Sequence, residues 1–338
     1  MPATLGPPAD TAIEGTRQAR TGPPYGGPVP ADPPLPPVPS RDDTRGIVDP
    51  PAMRAVATLE RYPPGPVLEG LVDWFWAVRW ELPPEAVHVQ RVLTHPASHL
   101  SVGTVDRAGR VLDPAGARVY GVRSRLDERR LVGTGWTVAA KTSGGLAALT
   151  GRPAHTLRDA EVPLDEVLGP VLGPVPRAVT AGAAPDAPDG SAVGRLVADA
   201  GDEAARVDAL RTLLERVVAA RPAAVLAQAR AVTAVAALAE RDREVLRVET
   251  LAAAAGTGVR TLLRLFAEHL GVSPAWVVRR WRIVEAADRA GRGEVVAWAD
   301  LAAELGYADQ AHLVRDFRAH LGTTPAAYAR SVAAPATT

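Results

Sequence analysis

The feature that most constrains the fold of this chain is an internal duplication near its C-terminus. Residues Leu262–Ala275 and Leu313–Ala326 align at an offset of 51 residues, and eight of the fourteen aligned positions are identical. Upstream, Leu251–Gly256 and Leu301–Gly306 align at an offset of 50, so the one-residue difference lies in the turn after the glycine. Such self-similarity predicts two copies of one supersecondary motif.

Each copy is typical of a short helix, a tight turn at a glycine, and a second amphipathic helix. This is the layout of a helix-turn-helix, in which the second helix can lie in the major groove of DNA. Each second helix is expected to end at a glycine, Gly271 or Gly322, before a Ser-Pro or Thr-Pro pair begins the next helix. The repeat therefore predicts two helix-turn-helix subdomains with double-stranded DNA as their partner.

Helical periodicity separates a buried face from an outward face in both second helices. The expected core residues are Leu262, Phe266 and Leu270 in the first copy and Leu313, Phe317 and Leu321 in the second. The candidate DNA-binding residues are Arg260, Thr261 and Arg264 in the first copy and Gln310, Ala311, His312 and Arg315 in the second. Arg can bond guanine O6 and N7, and Gln can bond adenine N6 and N7. The alternative is two solvated faces of ordinary helices, and the matched copies favour DNA binding.

The second recognition helix also has a predicted start. Asp309 precedes it and is a suitable N-cap, because a carboxylate there can accept a hydrogen bond from the first turn of the helix.

The N-terminal half is predicted to contain short β-strands. The candidate segments are Asp73–Trp80, Val87–Leu93, His99–Val105, Ala117–Val122 and Leu131–Ala139, which are rich in Val, Leu and Trp. Turn clusters such as Asp106–Gly109 and Asp113–Gly116 separate them. Short strands at regular spacing with turn signals between them predict an antiparallel barrel or sandwich.

Composition along the chain suggests five parts. Residues 1–50 hold 13 prolines and are predicted to be a disordered tail. The remaining parts are a β-rich domain at 51–180, a linker and connector helix at 181–222, a DNA-binding domain at 223–332 and a second disordered tail at 333–338. The connector helix has an apolar stripe that includes Leu210, which either packs on one of the domains or forms a dimer interface.

Overall composition excludes several classes of protein. Lys plus Arg and Asp plus Glu each total 38, so the formal net charge of zero excludes a generally basic nucleic-acid coat. The absence of Cys excludes a disulfide framework, a thiolate nucleophile and a zinc site built on sulfur. No apolar run approaches the roughly 18 residues of a membrane span, and the N-terminus lacks the pattern of a signal peptide. We therefore expect a soluble, cytoplasmic protein with no membrane partner.

The duplicated region resembles the DNA-binding domain of the AraC/XylS family of bacterial transcription regulators. The resemblance covers roughly residues 223–332, and its most specific segment is Gly306–Pro325. It implies two helix-turn-helix subdomains joined by a long helix, here about Pro274–Arg289, with both recognition helices in successive segments of the major groove. It also implies that the seven candidate residues above contact bases or backbone.

Two positions of the first copy depart from the family pattern. Val259 stands where a Ser or a similar polar cap often begins the recognition helix, and Leu263 replaces a commonly polar contact position. We therefore expect the first copy to read fewer bases than the second. In the second copy, Ala311 can offer only an apolar contact, for instance to a thymine methyl group.

Three segments of the N-terminal half resemble a cupin-like, uncharacterised subfamily of sensor domains fused to such DNA-binding units. They are Arg61–Pro64, Trp74–Trp76 and Thr142–Leu146. The resemblance implies a pocket for a small-molecule effector inside a barrel. The expected fold class is α+β: an antiparallel, barrel-like (cupin-like) β domain, a helical connector, and an all-α domain with two helix-turn-helix subdomains.

Histidines and tryptophans of the β-rich region raise the question of a metal or ligand site. His88, His95 and His99 are close in sequence, but the usual His-x-His pair with a following Glu is absent, so structural histidines are favoured. We accordingly predict no metal, no cofactor and no catalytic residue. The tryptophans of Asp73–Trp80 share one face of their strand, as core packing or an aromatic pocket wall would require.

Two classes of function remain. The favoured one is a sequence-specific transcriptional regulator that responds to an unidentified small-molecule effector, with RNA polymerase and a second copy of the chain left open as partners. The alternative is a cupin-type metalloenzyme with an accessory DNA-binding domain. The missing metal-ligand pattern favours the regulator, so we expect no enzymatic activity.

Overall fold

The computed structural model describes residues 38–40, 43–172, 191–242, 247–292 and 296–333. Most of the two predicted disordered tails, and residues 173–190 at the end of the predicted β-rich domain and the start of the predicted linker, lie outside the described residues. Residues 43–50 are an exception, because they are packed against the rest of the protein. Val48 is buried in the C-terminal core, and the Tyr328 hydroxyl donates to the Val48 carbonyl at 3.1 Å. The predicted disordered tail therefore extends too far towards the C-terminus. Its many prolines favoured disorder, but the apolar side chains of Ile47 and Val48 pack against the folded protein.

The N-terminal domain consists of two antiparallel sheets, as the predicted α+β fold class requires. Its first elements are α1 (Pro50–Val56), β1 (Ala57–Tyr62), β2 (Trp74–Glu81), β3 (Val87–Val92), β4 (Ser98–Val105), β5 (Val111–Tyr120), β6 (Asp127–Val132), β7 (Thr134–Thr142) and β8 (Glu161–Pro163). The larger sheet has the strand order β1-β2-β7-β4-β5-β8, and β3 pairs with β6 alone. Alternation along each strand gives the larger sheet two different faces.

Two predicted strand boundaries are wrong. The expected turn at Asp113–Gly116 lies inside β5, where the register between β4 and β5 shifts, and proline is tolerated at such an irregularity. The expected single strand Leu131–Ala139 is two strands, β6 and β7, which are separated by Gly133. Gly133 has a φ of +51°, a conformation that glycine adopts without strain, and it lies where the chain passes from the β3–β6 pair to the larger sheet.

One face of the larger sheet is covered by helices. These are α2 (Leu146–Thr150), α3 (Leu164–Leu172), α4 (Ala192–Ala198) and α5 (Glu203–Ala219), and a 3-10 turn at Ala154–Leu157 lies beside them. Phe75 and Ala77 of β2 point into this core. Leu210 of α5 is 0% exposed within it. The apolar stripe of the connector helix is thus buried against the sheet, as the first of the two alternatives requires. Leu210 is not accessible to form a dimer interface.

The C-terminal region is entirely helical over its described residues. Its helices are α6 (Ala223–Arg241), α7 (Val248–Ala254), α8 (Val259–His269), α9 (Pro274–Gly291), α10 (Trp298–Glu304), α11 (Gln310–Leu321) and α12 (Pro325–Ala333). The pairs α7–α8 and α10–α11 are the two predicted helix-turn-helix units. The predicted long helix between them is α9.

Helix α6 belongs to both halves of the protein. Leu226 and Ala229 pack in the core under the sheet, whereas Val232 and Val235 pack in the core of the helix-turn-helix units. By length and composition alone, this is the one described helix that could cross a membrane, with a mean hydropathy of 1.3, and half of that segment is buried in the protein. Its apolar residues join the two domains.

Candidate nucleic-acid interface and ligand cavity

The first recognition helix, α8, separates its residues as the periodicity predicts. Leu262 and Phe266 are buried in the core of the C-terminal region. The structure places Arg260, Thr261 and Arg264 on the exposed face. The helix begins after Gly258, which provides no side-chain cap. All three candidate residues are thus available on one surface of the helix.

The second recognition helix, α11, also exposes its candidates. Gln310, Ala311, His312 and Arg315 are all exposed. The predicted N-cap is confirmed, because the Asp309 carboxylate accepts a hydrogen bond from the His312 backbone N–H at 2.6 Å. This bond satisfies one of the backbone donors that have no partner in the first turn of a helix.

A buried tyrosine stabilises the turn that precedes α11. The Tyr307 ring lies edge-on to the His312 ring, with 5.1 Å between the centroids. The Tyr307 hydroxyl donates to Asp316 Oδ2 at 2.9 Å. Burial and the adjacent Asp316 carboxylate raise the pKa of Tyr307, so the hydroxyl stays protonated and keeps this bond. His312 is therefore held at the start of the helix by packing as well as by the cap.

Arg280 of α9 joins the helix between the two units to the N-terminal domain. Its side chain is 0% exposed, and its Nη2 donates to the carbonyl oxygens of Arg123 at 3.1 Å and Ser124 at 2.7 Å. The guanidinium also lies over the Trp276 ring at 4.6 Å. Burial lowers the pKa of Arg280 to about 10, so the group remains charged at neutral pH. The loop after β5 is thus bound directly to α9.

A cavity of about 190 Å³ lies on the uncovered face of the larger sheet, between it and the β3–β6 pair. Trp74, Trp76 and Trp80 all line it, as their shared strand face allows. The Trp76 indole N–H donates to His99 Nδ1 at 3.1 Å. Burial, Arg129 and Lys141 lower the pKa of His99 to about 3, so this imidazole is neutral. The tryptophans therefore form the aromatic wall of a pocket.

The cavity wall also carries positive charge. Lys141 Nζ lies 2.7 Å from Asp73 Oδ2, and both side chains are buried. Arg129 Nε lies 3.1 Å from Asp127 Oδ2. Arg61 also lines the cavity, and its two Nη atoms donate to backbone carbonyl oxygens at 2.6 and 2.7 Å. A ligand here would meet indole rings, neutral imidazoles and guanidinium groups together.

The three histidines do not form a common site. His95 and His99 line the cavity, whereas His88 Nε2 is bonded to Gln90 Oε1 at 3.1 Å. Within the part of the chain that the structure describes, no group of three or more His, Cys, Asp or Glu side chains is placed to hold a metal ion.

The wall of the cavity is shared with the C-terminal region. The His95 ring packs on the Trp281 ring of α9, with 4.7 Å between the centroids. His95 Nε2 lies 3.2 Å from the Arg45 carbonyl oxygen, and Arg45 Nη1 lies 3.5 Å from Glu240 Oε1 of α6. Burial lowers the pKa of His95 well below its usual range. Residues that face the cavity thus touch two helices of the C-terminal region.

Neither the position of Lys141 in the cavity wall nor the contact of His95 with Trp281 was predicted from the sequence. Alternation along β7 could have placed Lys141 in the cavity, because Val138 and Ala140 pack on the opposite face. No local pattern pointed to the pairing of His95 with Trp281, which are 186 positions apart in the chain.

Comparisons with known proteins match one segment in each half of the chain. A family model described as a helix-turn-helix domain matches residues 251–331. A second family model, described as a domain of unknown function (DUF6597), matches residues 60–163. No curated protein matches the chain.

Similar solved structures include several of ToxT from Vibrio cholerae. A structure of ToxT from strain O395 has a TM-score of 0.33 at 11% identity and covers 74% of this chain and 98% of its own. A 1.65 Å structure of ToxT has a TM-score of 0.33 at 10% identity, covering 82% of this chain and 100% of its own. A third, bound to (E)-4-(8-methylnaphthalen-1-yl)but-3-enoic acid, has a TM-score of 0.32 at 11% identity, covering 82% and 99%. Likeness at this level carries no argument about the ligand of this chain.

Proposed function

The C-terminal region of this chain is an AraC-type helix-turn-helix domain, and on that premise we propose a transcriptional regulator that binds specific DNA sequences and responds to a small molecule. The observation that carries the DNA-binding part is the pair of recognition helices, α8 and α11. Both bury the equivalent Leu and Phe positions. Helix α8 exposes Arg and Thr side chains, and α11 exposes Arg, Gln and His side chains. Arg and Gln on such helices have the donors that distinguish guanine and adenine in the major groove.

Selection of bound sequences from random duplex DNA tests this function. The full-length protein is the appropriate material, because α6 contributes to the cores of both domains and cannot be cut without exposing apolar residues. We expect a motif with two blocks about one helical turn, roughly 10 base pairs, apart. Salt-sensitive binding without an enriched motif would indicate contacts to the DNA backbone alone and would contradict sequence-specific recognition.

The effector part of the proposal is supported by the cavity and by its shared wall. A ligand can regulate DNA binding only if it favours one arrangement of the domains over another through differential contacts. His95 lines the cavity and contacts α9, and Arg45 lines it and contacts α6, so a ligand that moves one of these residues would change a contact with one of the two helices. These contacts support a route by which a ligand in the cavity would act on the helices that pack against α8 and α11.

Thermal stability in the presence of a metabolite collection tests the effector part. A compound that binds the folded protein raises its melting temperature by mass action. We expect at least one compound to stabilise the wild type and to change its affinity for the selected DNA. Trp76→Ala should weaken that stabilisation, since the indole lines the cavity. A stabilising compound that is unaffected by this substitution would place its site elsewhere.

The remaining assignments follow from the same proposal. A regulator of transcription acts where the DNA is, so we propose a cytoplasmic protein whose β domain senses and does not catalyse. A second copy of the chain or RNA polymerase would have to bind a surface other than the stripe at Leu210, which is buried.

A further inference from the structure

The first recognition helix carries an exposed apolar ridge. Leu263 is 43% exposed and Val259 is 37% exposed, which is unusual for large apolar side chains of this protein. The two residues are four positions apart in α8, so they are neighbours on the helix surface. Arg260 and Arg264 lie beside them on the exposed face. The outward surface of α8 is therefore apolar and cationic at once.

The core does not require this ridge. Leu262 and Phe266 are almost completely buried and complete the inward face of α8 without it. In α11 the equivalent positions are Gln310, which is polar, and Val314, which is half-buried. The ridge is thus a property of the first copy and does not belong to the shared scaffold.

A duplex with thymine in its major groove fits such a surface. The thymine C5-methyl group is the apolar feature of the major groove, and apolar side chains recognise it by contact. Guanidinium groups beside the ridge suit the phosphates and guanine edges that surround a thymine. An apolar protein partner would gain from Leu263 and Val259, but its surface would also cover Arg260 and Arg264 and would offer them no negative charge, whereas a DNA duplex offers phosphates.

We propose that Leu263, with Val259 beside it, reads a thymine methyl group in the DNA segment that the first copy binds. The apolar contact takes the place of the polar one that the family commonly makes at this position, so the first copy selects thymine where the sequence analysis expected a lost contact. The inference rests on the proposed function, because it requires α8 to enter the major groove.

Replacement of thymine by deoxyuridine tests this directly, because deoxyuridine keeps the base pairing and removes only the methyl group. Each thymine of the selected site is replaced in turn, and binding of the full-length protein is measured at constant salt. We expect about fourfold weaker binding at one or two thymines of a single block, the fold-change equivalent to about 0.8 kcal/mol for one buried methyl group.

Substitutions in the protein assign that effect to Leu263. The Leu263→Ala variant should bind the thymine and deoxyuridine duplexes equally well at those positions. The Leu263→Met variant keeps a large apolar side chain, so it should still bind the deoxyuridine duplex more weakly. Val314→Ala is the matched control in α11 and should leave the effect unchanged. Because Leu263 is well exposed, neither substitution at this position should unfold the protein.

Failure of the inference differs from failure of the proposed function. A selected motif that is insensitive to deoxyuridine, or equally sensitive in wild type and Leu263→Ala, overturns the reading of thymine and leaves sequence-specific binding intact. Failure to select any motif contradicts the proposed function itself.

Discussion

The two helix-turn-helix copies share a core and differ in what surrounds the ends of their recognition helices. Both helices are followed by a glycine with positive φ, +81° at Gly271 and +72° at Gly322. A Cβ on Gly271 would lie 2.7 Å from the Ala154 carbonyl oxygen, whereas a Cβ on Gly322 would meet nothing within 4 Å. The end of the first recognition helix is thus packed against the N-terminal domain. The aligned end of the second recognition helix has free space at the same position.

The aligned histidines show the same difference. His269 Nε2 lies 3.2 Å from Gln228 Oε1 of α6, so it connects two helices. His320 Nδ1 lies 2.8 Å from the Asp316 carbonyl oxygen within its own helix. Residues that are identical in a sequence repeat therefore keep their place in the helix but not their partners. A signal from the N-terminal domain would reach the first copy through direct contacts at this end.

The largest expected effect comes from Gly271→Ala. The added methyl group would clash with backbone atoms of Ala154 that cannot move cheaply, and the left-handed conformation adds its own strain. We expect a loss of about 2–4 kcal/mol in the free energy of unfolding, measured by denaturant titration. Gly322→Ala is the matched control and should cost only the conformational strain, about 1–2 kcal/mol. Equal losses in the two variants would contradict docking of the first copy on the N-terminal domain.

The second effect concerns the recognition faces. Arg315→Ala should cost about 1–3 kcal/mol at the selected DNA site and relax specificity at one base pair, because it would remove the proposed bidentate contact to a base edge. Arg264→Ala, at the aligned position of the first copy, tests whether the two faces contribute equally. Binding to selected and scrambled duplexes, measured at the same salt concentration, separates specific from electrostatic losses. Unchanged affinity of Arg315→Ala for both duplexes would show that this face does not contact DNA.

The third effect depends on pH. Burial lowers the pKa of His269 to about 4, below its ordinary value of 6.5, so the folded state binds this proton less readily than the unfolded state. The contribution of His269 to the free energy of unfolding is therefore highest above pH 6.5 and falls as the pH drops from 6.5 towards 4, by up to about 1.4 kcal/mol per pH unit. His269→Gln should reduce the loss between pH 7 and pH 5 by about 1–2 kcal/mol.

The aligned histidine provides the control for this pH dependence. The pKa of His320 is also lowered, by burial and by nearby Arg280, but the hydrogen bond to the Asp316 backbone carbonyl and the Asp316 carboxylate oppose that shift by favouring the charged form. His320→Gln should therefore change the pH dependence less than His269→Gln does. If unfolding of both variants follows the wild-type pH dependence, neither histidine is responsible for it.

Features set by residues close together in the chain could be predicted from the sequence, whereas contacts between residues far apart in the chain could not. The core and the exposed face of α8 and α11 were predictable because 3.6-residue periodicity fixes them locally, and Asp309 was predictable as a cap for the same reason. The turn expected at Asp113–Gly116 was wrong because the segment is an irregularity inside β5, between two stretches that pair with β4 on either side of it. Contacts such as His95 with Trp281 depend on how the domains pack, and a single sequence carries no local signal for that.

The smallest expected effect concerns the starts of the two recognition helices. Asp309 caps α11, whereas Gly258 begins α8 without a side-chain cap. Asp309→Ala should therefore cost about 1 kcal/mol in the free energy of unfolding, because a backbone donor of the first turn loses its partner. The reverse change, Gly258→Ser, should stabilise the protein by a few tenths of a kcal/mol, since no atom lies within 4 Å of the added Cβ and the hydroxyl can supply the missing acceptor. Stabilisation by Gly258→Ser with unchanged DNA affinity would separate the stability of α8 from its recognition surface. A destabilising effect would mean instead that the first copy needs the freedom of glycine at this turn.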